Sequence, residues 1–203
     1  MLRVFVAAVL MSCASAALAA DFDRNLAAAQ NGDFKAALAE WTPLAEDGDA
    51  KAQYNIGWMH WRGDGVEQSD QAAAGWFLRA ARQGLKEAQS QIGYMLANGL
   101  GAETDLRAAI RWTQAAADQG DQNGIANVAP IQNALGWAYL GGDSGVSKDV
   151  ALACMWFQFA TVSGHSEASQ LVDGVCGSLS PEETERLEKV TEVCAGSAFS
   201  SCE

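Results

Sequence analysis

The sequence predicts an all-α fold, a right-handed α/α solenoid of helix-turn-helix repeats. Three observations carry this reading: an Ala-rich composition with only three Pro, apolar residues recurring at helical spacing between glycine-marked turns, and an internal period of 36 residues. The 203 residues are 49% hydrophobic and 19% charged, enough to bury a core and too apolar for a disordered chain. A β-sandwich would need more Val, Ile and Thr. Thirteen Lys and Arg against 25 Asp and Glu leave a formal charge of −12, which repels phosphate backbones and anionic membranes and excludes nucleic acid as a partner class.

The first element, residues 1–19, reads as a signal peptide. Met1-Leu2-Arg3 is a positive start, Val4 to Met11 an apolar run, and Ala17-Leu18-Ala19 a small-x-small cleavage site before Ala20 and Asp21. The run is far shorter than the roughly 18 to 20 residues that span a bilayer, and no later segment is longer. The expected product is therefore periplasmic or secreted and has no transmembrane segment; the short leader and the Ala-rich composition favour a bacterial periplasm. Leu10-Met11-Ser12-Cys13 loosely resembles a lipoprotein box, but Met11 and the short apolar run fit it poorly, so a soluble product is expected rather than one lipidated at Cys13.

Residues 20–49 are expected to form an N-terminal capping hairpin, turning at Asn31-Gly32, with Pro43 distorting its second helix. The repeats occupy 50–165. Ala52 recurs as Ala88, Gly57 as Gly93, Gly63 and Gly65 as Gly99 and Gly101, Trp76 as Trp112, and Gly84 as Gly120, each pair 36 apart. Ala45 and Gly48 stand in the same register ahead of Ala81 and Gly84. Gly136, Tyr139, Gly142, Gly145, Trp156, Ala160 and Gly164 form a third copy, displaced by an insertion of about seven residues between Gly120 and Gly136. Each unit reads as two helices. In the first unit, one runs from about Ala50 to Trp61 and stops at Gly63-Asp64-Gly65; the other runs from about Asp70 to Gln83 and stops at Gly84. The insertion, nearly two helical turns, is expected to place an extra turn or loop before the third unit, with Pro130 opening its first helix. No unit buries its apolar face alone, whereas stacked units do.

These residues resemble the Sel-one-like repeats, relatives of the tetratricopeptide repeats. Ala52-Gln53-Tyr54-Asn55-Ile56-Gly57, Gly63-Asp64-Gly65-Val66 and Trp76-Phe77-Leu78-Arg79-Ala80-Ala81-Arg82-Gln83-Gly84 follow the family pattern almost position by position, and the resemblance covers about Gly32 to Ala168. The departures are His60 and Leu96 in place of Tyr, Leu100 before Gly101 with Ala102 in place of Val, and the insertion. The resemblance implies a scaffold whose first helices line a concave side that binds another protein or peptide. It also carries two alternatives, a cell-wall hydrolase or penicillin-binding activity, proposed for cysteine-rich relatives, and an envelope assembly factor.

Residues 166–203 are expected to cap the stack. Ser180-Pro181-Glu182-Glu183 is a helix start in which Ser180 is the N-cap and Glu183 closes a capping box. Loss of the leader removes Cys13 and leaves four Cys, which in an exported chain read as two disulfides with three possible connectivities. Helix geometry selects one: Cys154 and Cys176 are nearly equidistant from the turn at Gly164, which pairs them and leaves Cys194 with Cys202.

Little in the chain suggests chemistry. His60 and His165 lie on different units with no Cys or carboxylate at ligand spacing, so no metal site is expected, and no cofactor. Gly164-His165-Ser166-Glu167-Ala168 looks like a nucleophile elbow, but such an elbow follows a strand, and here the preceding segment is helical. There is no phosphate-binding glycine motif and no H-E-x-x-H. No catalytic residue is assigned, and the expectation is a protein that is not an enzyme. What remains is surface: the residue after each first-helix glycine is Trp58, Tyr94 and Trp137, an aromatic column in register, with Trp61 and Asn98 expected to be exposed beside it. The column either packs helix on helix or forms a groove for an extended peptide, where aromatics supply contact area at low entropic cost. The sequence does not fix the partner's identity or the oligomeric state.

Overall fold

A computed structural model describes residues 33–199 and Cys202. The leader at 1–19 and the first half of the opening hairpin, with its turn at Asn31-Gly32, lie outside the described residues. Among those described, all regular structure is helical: α1 Phe34–Glu46, α2 Ala50–Arg62, α3 Asp70–Arg82, α4 Lys86–Asn98, α5 Leu106–Asp118, α6 Gln122–Gly141, α7 Val150–Val162, α8 Ser166–Cys176 and α9 Pro181–Gly196.

The helix ends follow from local chemistry. The carboxylates of Asp49, Asp105, Asp121 and Asp149 and the hydroxyl of Ser69 accept hydrogen bonds from backbone N–H groups in the first turns of α2, α5, α6, α7 and α3. Gly63, Gly99 and Gly142 close α2, α4 and α6 in the left-handed conformation, at φ of 76°, 66° and 79°. The capping box at α9 is formed: Glu183 N–H donates to Ser180 Oγ, and Ser180 N–H donates back to the Glu183 carboxylate.

Consecutive helices from α1 to α8 pack in order, α4 also touches α6, and α9 lies against α7. The pairing within a unit rests on a glycine in the first helix. A Cβ on Gly57 would stand 2.7 Å from the Phe77 ring, and one on Gly136 would stand 2.6 Å from Phe157, so the bare backbone lets the ring lie against it. Small Ala side chains fill the rest of each seam, as in Ala73, Ala80 and Ala81 against Ala88. Trp76 packs back onto the cluster of Trp41, Ile56 and Met59, and Trp112 onto that of Phe77, Ile92 and Met95, so each joins its unit to the one before.

The insertion is resolved differently from the sequence expectation. Pro130 does not open a helix; it lies within α6, which runs 20 residues against the 13 of α4. Asp121 accepts from Gly124 N–H at 2.7 Å and starts the helix one turn after α5, and the added seven residues continue it for nearly two turns. Seven residues return the helix almost to its starting face, so the buried side stays continuous through Val128, Ile131 and Leu135. Pro130 is on the exposed side, where the Ala126 carbonyl that its missing N–H leaves free is open to solvent.

At the C-terminal end Cys154 is bonded to Cys176, with Cα atoms 5.2 Å apart, and Cys194 to Cys202, at 4.5 Å. The first joins α7 to α8. One guanidinium nitrogen of Arg186 on α9, Nη2, donates to both oxygens of the Asp149 carboxylate at the start of α7. Burial pushes that carboxyl upward, but the bonds from Arg186 and from the α7 backbone outweigh it and hold it below the usual range.

Candidate functional site

The first helices α2, α4 and α6 each present a stripe at i, i+4, i+7 and i+11, which an α-helix brings onto one face. On α2 the stripe is Lys51, Asn55, Trp58, Arg62; on α4 it is Glu87, Gln91, Tyr94, Asn98; on α6 it is Pro130, Ala134, Trp137, Gly141. The rows stand in the repeat register, so the aromatic column anticipated from the sequence lies at the third place of each. Tyr94 is 41% exposed and Trp137 49%, among the most exposed large apolar side chains described.

The rings behave differently along the column. Trp58 is half-buried and makes a cluster with Tyr54, Phe77 and Trp61 at centroid distances of 5.7 to 6.1 Å. Trp61, expected to be exposed, is half-buried as well: it bridges the first two units, 6.4 Å from Phe77 and 6.2 Å from Tyr94. Arg62 lies over the Trp58 ring at 4.8 Å. Burial pushes the Tyr54 phenol upward and the Glu87 charge adds to the rise, while a hydrogen bond with Trp58 and the charge of Arg62 oppose it. In the third unit the Trp137 ring meets Phe157 at 5.5 Å, edge to face. Asn98 is exposed, its amide donating to the Tyr94 carbonyl at 2.8 Å, which fixes the side chain at the rim of the column.

The remaining sequence candidates have structural roles. His165 is the N-cap of α8, with Nδ1 accepting from Ala168 N–H at 3.3 Å, and Gly164 before it is a left-handed turn residue at φ 92°. His60 is half-buried, with Nδ1 3.4 Å from the Glu67 carbonyl. Among the described residues no group of three or more His, Cys, Asp and Glu is placed to hold a metal, and no helix is long and apolar enough to cross a membrane. Two open clefts, about 410 and 320 Å³, flank Arg186 near the start of α7; acids and bases face each other across them.

One feature escaped the sequence reading. Gln53, Gln89 and Gln132 occupy one register position and all are buried. Gln53 Nε2 donates to the Ala45 carbonyl at 2.9 Å, and Gln53 Oε1 accepts from Gln83 at 2.8 Å. Gln89 repeats this with Ala81 at 3.3 Å and Gln119 at 2.7 Å. Gln83 and Gln119 are the C-caps of α3 and α5; the C-cap of α7 is Ser163, and Gln132 Oε1 has no partner. The recurrence of Gln at 53, 89 and 132 was the available signal.

Stacked helix pairs in a 36-residue register define an α/α repeat protein. The Sel1 repeat family matches residues 50–85, 86–121 and 130–165, more than half of the chain. The chain belongs to the Sel1 repeat family, whose repeats generally mediate protein–protein interactions and whose members are typically scaffolds without chemistry of their own. Among solved structures it is similar to a Sel1 repeat protein from Oxalobacter formigenes, at 25% identity and a TM-score of 0.46, covering 73% of this chain and 58% of that one. It is also similar to a protective antigen of uropathogenic Escherichia coli strains that displays an SLR fold, at 28% identity and a TM-score of 0.44, covering 72% of this chain and 34% of that one. The chain thus spans less than two thirds of either. The search among curated proteins found no match.

Proposed function

We propose that the chain is an exported scaffold, a periplasmic regulator that binds another protein or a peptide on the face of α2, α4 and α6. The observation that supports this most is the column Trp58, Tyr94 and Trp137, which stands in register and grows more exposed toward the third unit. An apolar ring half in water at the same place of successive repeats is a surface that gains free energy when a partner covers it. Trp61 and Asn98 border it. Residues 20–49 and 166–203 act as the caps of the stack. Two disulfides and the leader-like residues 1–19 are consistent with an oxidising compartment outside the cytoplasm.

The test is affinity capture from a periplasmic extract with the intact mature chain, alongside Trp58→Ala and Trp137→Ala. Retention of a defined protein by the wild type and its loss with both variants supports the reading. Equal retention by all three contradicts it.

A further inference from the structure

The three stripes differ in charge as well as in ring exposure. The α2 row carries Lys51 and Arg62, and α2 as a whole has no Asp or Glu. The α4 row has Glu87 as its charged member. The α6 row is Pro130, Ala134, Trp137 and Gly141, and none of the 20 residues of α6 is charged, although Gln122, Asn123, Ala126 and Pro130 are exposed. In a chain of net charge −12 this is a marked departure: one end of the face is cationic, and the other is uncharged and apolar.

Resting on the groove reading above, we propose that the face takes an extended segment of a partner protein in one direction only. An acidic end lies against Arg62, and an uncharged end with an aromatic or aliphatic anchor lies against Trp137. A carboxylate matches the Arg62 guanidinium and finds no cation on α6, where it would lose water and gain no ion pair. An apolar anchor matches the open ring of Trp137, whereas Trp58 is already stacked on by its own Arg62. Reversed, the segment would lay its acid over the uncharged α6 row and its apolar anchor over Arg62, so charge fixes the direction and the apolar end supplies the hold.

A random peptide library displayed on phage, selected on the intact mature chain, tests this. Peptides also captured by Tyr94→Ala/Trp137→Ala, a variant of the two exposed rings checked for unchanged helicity, are discarded. The surviving peptides should carry Asp or Glu at one end and an aromatic or aliphatic residue toward the other. Their affinity should fall about tenfold in Arg62→Glu, fall less in Arg62→Gln, and lose most of its salt dependence in both. Survivors with acids scattered or absent, or with affinity unchanged by Arg62→Glu, overturn the directional proposal and leave the groove standing. If no captured peptide depends on Tyr94 and Trp137, the groove reading fails, and the direction with it.

Discussion

The first two repeats and the third solve the same packing problem with different completeness. At 50–121 each buried first-helix glutamine is closed on both sides, by a carbonyl of the preceding unit and by the glutamine that caps its partner helix. In the third, Ser163 is too short for that role and Gln132 keeps an orphan oxygen. The turn glycines differ in the same sense. A Cβ on Gly65 would stand 2.7 Å from Phe34, and one on Gly101 2.3 Å from the Asp70 carbonyl, while Gly145 has open space around it. The third loop, Gly142-Asp143-Ser144-Gly145, is one residue longer and carries Ser144 at φ 50°. Regular stacking is thus strictest where the family pattern is strictest. The third unit, where the pattern is interrupted, is held instead by the Cys154–Cys176 bond and the Arg186–Asp149 pair, and there the aromatic face is most open.

The glycine contrast gives the largest expected effect. Gly101→Ala combines a left-handed φ of 73° with a backbone clash and should cost about 3 kcal/mol or more. Gly145→Ala, at φ 80° with open space, should cost only about 1 to 2 kcal/mol. Urea unfolding of the two variants checks this, and equal losses would show that the loops are packed alike.

Much of this comparison could be read from the sequence. The 36-residue period, the glycine-marked helix stops, the box at Ser180 and Glu183, and the register of the aromatic column all follow from local chemistry that a single chain displays. The fate of the insertion did not. Pro130 fits the first position of a helix as well as its exposed side, and only Asp121 capping ahead of it decides that the helix has already begun. Trp61 is half-buried rather than exposed because its ring lies between Trp58 and Phe77 of its own unit and Tyr94 of the next, and that last contact is one that no pattern within a single repeat displays. The charge gradient across the three rows was written in the sequence, and became visible only once the structure gave the stripe.

A smaller effect concerns the glutamine relay. Ser163→Gln should supply the missing donor to Gln132 and stabilise the chain by about 1 kcal/mol, raising the thermal midpoint by roughly 2 to 4 °C. Gln89→Leu should cost about 1 to 2 kcal/mol, because two hydrogen bonds are lost, one to the Ala81 carbonyl and one from the Gln119 amide, whereas Gln132→Leu should be close to neutral. If Gln132→Leu is as damaging as Gln89→Leu, the third relay is not broken.

The smallest effect is electrostatic. The Asp149 carboxyl is held below its ordinary value, so its contribution is present above the unfolded value of about 3.9 and is lost as pH falls through the lower folded value. Arg186→Gln should therefore lower stability slightly at neutral pH, by under about 1 kcal/mol for so exposed a pair. The difference from wild type should vanish in acid. A difference that persists there would assign Arg186 a packing role instead.

The central claim is that the partner is met on the face of the first helices. Its most direct measurement places a photo-crosslinking residue at Tyr94 on α4 and, in a second protein, at the exposed Arg111 on α5. Illumination in the native envelope should join a partner at position 94 and none at 111. A partner joined at 111 and absent at 94 would contradict the account.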